Sequence, residues 1–176
     1  WEINFVDQWD HKDLNYTTGR ILITSNNLTA KKSIIDEDGI GAGPLDTLNK
    51  GRGLEHFVGF RNPSLSYADN KFYGNNRTKN VYKLKDMIAK GHICIKDEAI
   101  LAELETLKYT FDHNQRRILI SKDKMRKEGV KSPNLADALI MAVSLIDEII
   151  EAQEVQYKPR FRSTANDNLF SIAGVV

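Results

Sequence analysis

An apolar strand that ends in acids and runs straight into a glycine turn is the strongest constraint in this chain. Residues 33–46 read Ser-Ile-Ile-Asp-Glu-Asp-Gly-Ile-Gly-Ala-Gly-Pro-Leu-Asp. The pair Ile34-Ile35, bounded by turn formers, predicts a short buried strand. Asp36 then stands beyond the strand's C-terminal end, where open α/β sheets bind ligands. Gly39, Gly41 and Gly43 allow backbone to approach closely, although their spacing is not the dinucleotide fingerprint. Pro44 suits a first helical turn and Asp46 the positive end of a helix, so a helix is expected over about residues 44–50.

A second acid comes from far along the chain. Ser132-Pro-Asn-Leu-Ala-Asp-Ala-Leu139 opens a helix whose Leu135, Leu139, Val143, Ile146 and Ile150 form an apolar stripe. Ser132 is the expected N-cap, and Asp137 falls in the opening turns. Ala136 and Ala138 are small enough to let the helix press on a sheet and hold that carboxylate at the seam. A carboxylate in such a seam is costly unless a cation or hydrogen bonds compensate it. Two acids brought together there repel, and Mg²⁺ or Mn²⁺ with oxygen ligands resolves the repulsion. A pair of such ions serves both oxygens of an in-line phosphodiester displacement. The plainer alternatives are a solvated turn aspartate at Asp36 and a residue complementing the helix dipole at Asp137.

Asp38 is either an accessory ligand or points away, and Asp46 is a helix cap. Lys122 closes the apolar run Ile118–Ile120 and either neutralises a phosphate or is simply solvated. Arg116, Arg117, Lys122, Lys124, Arg126, Lys127 and Lys131 form a basic arc directly before Asp137. Sequence-independent contact with a duplex backbone uses such an arc; a wet surface is the other reading.

The remaining elements follow from local signals. Trp1, Ile3 and Phe5 alternate as in a half-buried strand over residues 1–9, and Asp13 to Asn27 reads as a helix. His56–Phe60 is a strand, residues 61–70 a loop or short helix, and residues 76–90 a helix stopped by Gly91. Residues 93–95 are extended, Asp97 caps a helix to about residue 108, and Tyr109–Phe111 and Arg117–Ser121 are strands. Residues 122–131 read as a mobile basic stretch. Mixed strands and helices in this order give an α/β layered domain. The 176 residues suffice for one core. A net charge of +1 excludes a general positive field. The lone Cys94 excludes a disulfide framework and fits a reducing compartment; between Ile93 and Ile95 it reads as a buried thiol. Scattered histidines argue against zinc, and neither a phosphate-loop motif nor a membrane-spanning run is present.

Taken together, these pieces resemble the nuclease domain of tailed-phage terminase large subunits. Residues carrying the likeness are Trp9 with Lys12-Asp13-Leu14 and Gly19-Arg20-Ile21, then residues 36–48. They continue with Phe72, Asn75-Asn-Arg77 and Tyr82, and close with Lys122 and residues 132–139. The likeness spans roughly residues 9–150 and lies in the order and spacing of the pieces. It implies an RNase H-like mixed sheet flanked by helices over residues 1–157, followed by a flexible tail over 158–176. It also implies a two-metal DNA endonuclease using Mg²⁺ or Mn²⁺, with Asp36 and Asp137 at the second and third acid positions. Concatemeric viral DNA is the implied substrate, the portal protein and small terminase subunit the implied partners, and the cytoplasm of the bacterial host the implied location.

Two departures qualify that likeness. Asn134 stands where an aspartate is common. No counterpart of the first acid precedes the Trp9 segment, and Asp7, Asp10 and Asp13 lie too near Asp36 to leave room for the intervening strand and helix. The resemblance therefore implies a domain truncated at its N-terminus, with a third acid from elsewhere. The rival reading is a non-catalytic module docking on the portal or a partner subunit through its surface and the Lys158–Arg162 segment. A resolvase- or transposase-like RNase H enzyme is a third.

Overall fold

The computed structural model describes residues 1–3, 6–10, 12–38, 40–52, 56–147 and 149–150. The chain divides into two units, Trp1–Ile146 and Asp147–Val176, and of the second only residues 147 and 149–150 are described. The expected domain end at residue 157, the tail and the Lys158–Arg162 segment lie outside the described residues. No helix among the described residues is long and apolar enough to cross a membrane.

Within the first unit, α1 (Leu14–Asn27) leads to β1 (Ser33–Asp36), α2 (Ala42–Arg52) and β2 (Phe57–Phe60). A 3₁₀ turn at Asp69–Lys71 precedes α3 (Asn76–Ala89) and α4 (Glu98–Glu105). Then come β3 (Tyr109–Phe111), β4 (Arg117–Leu119), α5 (Lys122–Lys127) and α6 (Asn134–Ser144). Strands β1 and β2 pair in parallel, Ser33 opposite Phe57 and Asp36 opposite Phe60. A parallel pair needs a crossover, which α2 supplies. Strands β3 and β4 form an antiparallel hairpin. The architecture is mixed α/β, with its sheet in small pieces and helices packed around them.

Side-chain caps explain most helix starts. Asp13, Asn75, Asp97 and Ser121 each accept a hydrogen bond from a backbone amide in the first turn of α1, α3, α4 and α5, satisfying donors that have no partner inside the helix. Two apolar clusters hold the layers together. Ile35, Leu45, Leu48 and Phe57 join β1, α2 and β2, with Ile21 and Leu22 of α1 laid against them. Leu84, Met87, Ile140, Val143 and Ile146 join α3 to α6, and Leu104, Leu107 and Ile93 pack on that seam. Helix α6 also touches β1, and this contact brings the two candidate acids toward each other.

Several local expectations are corrected. Of the strand expected over residues 1–9, the described residues form one bridge, Glu2 with Cys94. Cys94 is exposed, because the alternation there turns Ile93 and Ile95 inward and the thiol out. Residues 122–127 are helical rather than mobile, since Ser121 caps them and Met125 anchors the turn in the core. Helix α2 starts at Ala42 and continues through Gly51; Pro44 sits in its first turn, where a missing N–H breaks no helical bond.

Candidate functional site

Asp36 terminates β1, and its own turn holds it. The Asp38 amide donates to Asp36 Oδ1 at 3.1 Å, and the Asn62 amide donates to Asp38 Oδ2 at 2.8 Å. Glu37 turns the other way and pairs with Arg61. Gly41 is indispensable to this turn: a Cβ there would stand 1.7 Å from the Asp36 carbonyl oxygen. Gly43 has nothing within 4 Å of the same virtual atom, so it is not needed for close approach. Gly39 lies outside the described residues.

The Asp36 carboxyl is held above its ordinary range. Burial is the main cause, although part of the residue faces solvent, and repulsion from Asp38 and Asp137 adds to it. The Asp38 amide and the Lys122 ammonium pull the other way. Asp36, Asp38, Asp137 and Lys122 thus share one electrostatic neighbourhood.

Asp137 is buried on α6, with its side chain 11% exposed. Its oxygens are divided between two cations. Arg77 Nε donates to Oδ1 at 2.7 Å, and Lys122 Nζ lies 2.7 Å from Oδ2. The lysine contact is an ion pair without hydrogen-bond alignment, and Arg77 Nη2 is buried with no acceptor among the described residues. This division is how the fold tolerates a carboxylate in an apolar seam. Helix α6 has no side-chain cap of its own; instead Glu103 of α4 accepts from the Ala136 amide at 2.9 Å. Ser132 is therefore not the cap, and its hydroxyl pairs with Asn134 Oδ1. Ala136 is fully buried while Ala138 is exposed, because neighbours on either side of Asp137 cannot both face the seam.

The cations are positioned by the ends of α3 and β4. The Arg77 amide donates to Asn62 Oδ1 at 2.9 Å. Thr78, on the next residue, is held by Asn75 and accepts from the Leu119 amide at 3.0 Å. That last bond fastens the start of α3 to the end of β4, two residues before Ser121 caps α5 and Lys122 begins it.

The basic arc separates into two groups. Lys124, Arg126, Lys127 and Lys131 are exposed, and Arg126 pairs with Asp123 on the same face. Arg116 is largely covered, bonded to Asp112 and to Asn70, and Arg117 lies over the Tyr82 ring, 5.2 Å from its centroid. Among the described residues, no group of three or more His, Cys, Asp or Glu side chains is arranged to hold a metal. The acids near Asp36 and Asp137 are instead spaced by their hydrogen bonds and cations.

Neither a protein-family model nor a curated protein sequence matches the chain. Solved structures do. A lysine-to-alanine variant of the nuclease domain of the large terminase subunit gp2 of bacterial virus Sf6, with manganese and β-thujaplicinol, superposes with a TM-score of 0.64 at 20% identity, covering 76% of this chain and 74% of that one. The same subunit's domain with calcium gives 0.57 at 21% identity over 74% and 70%. A further structure of the Sf6 gp2 nuclease domain gives 0.53 at 22% identity over 74% and 70%. The fold is that of a terminase nuclease domain. It is RNase H-like, as the resemblance implied.

On this terminase nuclease fold, three residues to which the residue pattern gave no role stand at the centre of the site. Arg77 was visible only as part of the Asn-Asn-Arg helix start. Asn62 follows β2 without any local signal of a role, and Glu103 caps a helix thirty-three residues away.

Proposed function

We propose that this chain is the metal-dependent DNA endonuclease domain of a tailed-phage terminase large subunit, hydrolysing phosphodiester bonds of concatemeric viral DNA. The observation that carries this reading is the approach of Asp36, at the end of β1, and Asp137, on α6, across the β1–α6 contact of a terminase nuclease fold. Carboxylates meeting in that way suit a hard cation with oxygen ligands. Asp36 and Asp137 would hold Mg²⁺ or Mn²⁺, with Asp38 as the accessory oxygen, and a two-ion site would draw on further donors. The manganese and calcium in the Sf6 structures support the choice of a divalent ion. When bound, such an ion supplies Lewis acidity and an activated water.

The chain's own residues set the geometry. Arg77 fixes the Asp137 carboxylate through Oδ1. Lys122, on the opposite oxygen, has an ammonium that neutralises the phosphate as the bound backbone enters. Lys124, Arg126, Lys127 and Lys131 hold the duplex through its phosphates; Arg116 and Arg117 join them only by exchanging their present partners. The portal protein and small terminase subunit are the partners, and the host cytoplasm is the place of action.

Conversion of supercoiled plasmid to nicked or linear form with Mn²⁺ tests the reading. Cleavage that disappears in Asp36→Asn and in Asp137→Asn supports it, and cleavage unchanged in both removes the site. One observation favours a second reading. Asp137 is already neutralised by Arg77 and Lys122, as in a non-catalytic module docking on portal or partner subunit; absence of cleavage with retained binding to the portal would select it.

A further inference from the structure

Asn62 directs every polar group that the structure pairs at one problem. Its amide donates to Asp38 Oδ2 at 2.8 Å, its side-chain Oδ1 accepts from the Arg77 amide at 2.9 Å, and its carbonyl accepts from the Asn76 amide at 2.8 Å. Asn76 returns the contact through Nδ2 to the carbonyl of Arg61 at 3.2 Å. The residue therefore joins two segments that share no secondary structure. On one side is the Asp36–Asp38 turn, in which the Asp38 amide holds Asp36. On the other is the first turn of α3, from which Arg77 reaches Asp137.

Following the bonds gives an unbroken path from Asp36 through Asp38, Asn62 and Arg77 to Asp137. We propose that Asn62 is a positioning residue that sets the separation of Asp36 and Asp137 by tying the Asp36–Asp38 turn to the Arg77 helix start. This deepens the nuclease reading and rests on it. The physical ground is the nature of the alternative. Sheet pairing fixes the backbone of Asp36 along β1, and apolar packing fixes α6, but neither acts on the turn and helix start that hold the two carboxyl groups. Hydrogen bonds are directional, and groups behind metal ligands change metal affinity by about 10–100-fold when removed. The side-chain Oδ1 is the link that a substitution can remove while leaving the main-chain bonds in place. Loss of that acceptor frees the Arg77 amide and loosens the guanidinium's grip on Asp137, without touching either carboxylate.

The test uses the full chain and Mn²⁺ as the probe. Calorimetric titration is run on wild type, Asn62→Ala, Asn62→Asp and Asp36→Asn, with an unfolding curve for each. The expected result is that Asn62→Ala, folded at the titration temperature, binds Mn²⁺ about 10–100-fold more weakly. Asn62→Asp, which keeps an acceptor oxygen facing the Arg77 amide, recovers most of that loss; a merely structural role would lower the unfolding temperature and leave the affinity in place. Should Asn62→Ala not fold, Asn62→Leu, which keeps the side-chain volume and lacks the acceptor, is read the same way. Wild-type affinity in the folded Asn62 variant, alongside lost binding in Asp36→Asn, overturns this proposal alone. A wild-type chain that binds no Mn²⁺, or an Asp36→Asn chain that binds it equally well, overturns the nuclease reading and this proposal with it.

Discussion

Lys122 Nζ lies 2.7 Å from Asp137 Oδ2, on the oxygen that Arg77 leaves free. The two cations differ in burial: the Arg77 side chain is 13% exposed and that of Lys122 37%. Removing a partner from a buried carboxylate leaves an uncompensated charge, whereas a half-exposed lysine is replaced in part by water. Arg77→Met is expected to cost about 3 kcal/mol, and Lys122→Met about 1 kcal/mol, in urea unfolding without divalent ions. Equal losses, or the reverse order, would contradict this division of labour.

Asp36 sets a pH dependence of definite sign. Its carboxyl titrates above the ordinary value of 3.8 in the folded chain, so the folded state holds that proton more tightly than the unfolded state. Stability from this group is complete below the ordinary aspartate range and is lost as pH rises through the raised value. Asp36→Asn, which keeps an oxygen to accept from the Asp38 amide, is therefore expected to raise the metal-free unfolding temperature at neutral pH. The gain should shrink as pH falls toward 3.8, where the wild-type group is itself protonated. Thermal unfolding of both chains across that range checks it; a gain that grows on acidification would refute the assignment of the shift.

Gly41 and Gly43 make an internal control for the turn. A Cβ at Gly41 collides with the Asp36 carbonyl at 1.7 Å, while Gly43 faces open space within helix α2. Gly41→Ala should abolish the native turn and strongly destabilise the chain. Gly43→Ala should add about 0.5 kcal/mol by restricting the unfolded chain. Denaturant midpoints for the two variants distinguish them.

The basic residues predict a split between binding and stability. Replacing Lys124, Lys127 and Lys131 by glutamine should flatten the salt dependence of duplex binding by about 0.9 logarithmic units for each phosphate that is no longer neutralised. Arg116→Gln should leave that slope unchanged and lower stability instead, because Arg116 is occupied with Asp112 and Asn70. Filter binding across salt concentrations, paired with thermal unfolding, reads both.

What was legible in the chain was what is decided locally. The strand ending in Asp36 and the cap at Asp97 are short-range choices of backbone and side chain, and the structure has them where the residues put them. The apolar stripe of α6 was equally plain, although that helix closes at Ser144, where the Leu145 amide turns back to Ala142 and Val143. The basic run misled because charge density says nothing of helicity; one serine cap and one buried methionine decide that segment. The cations around Asp137 were not legible. Arg77 lies sixty residues away in sequence, and its contact depends on α3 packing against α6 through Leu84, Met87, Ile140 and Val143. Asn62 gave no signal either, since a hydrogen-bonded bridge between two loops has no periodicity to detect.

Crystals of the chain soaked in Mn²⁺ and measured at the manganese absorption edge test the central claim most directly. The account predicts an anomalous peak bridging carboxylate oxygens of Asp36 and Asp137, at about 2.0–2.6 Å from each as hard cations sit from oxygen ligands. A chain whose only manganese peaks touch neither residue, or whose Asp36 and Asp137 stay unbridged at saturating Mn²⁺, would contradict it.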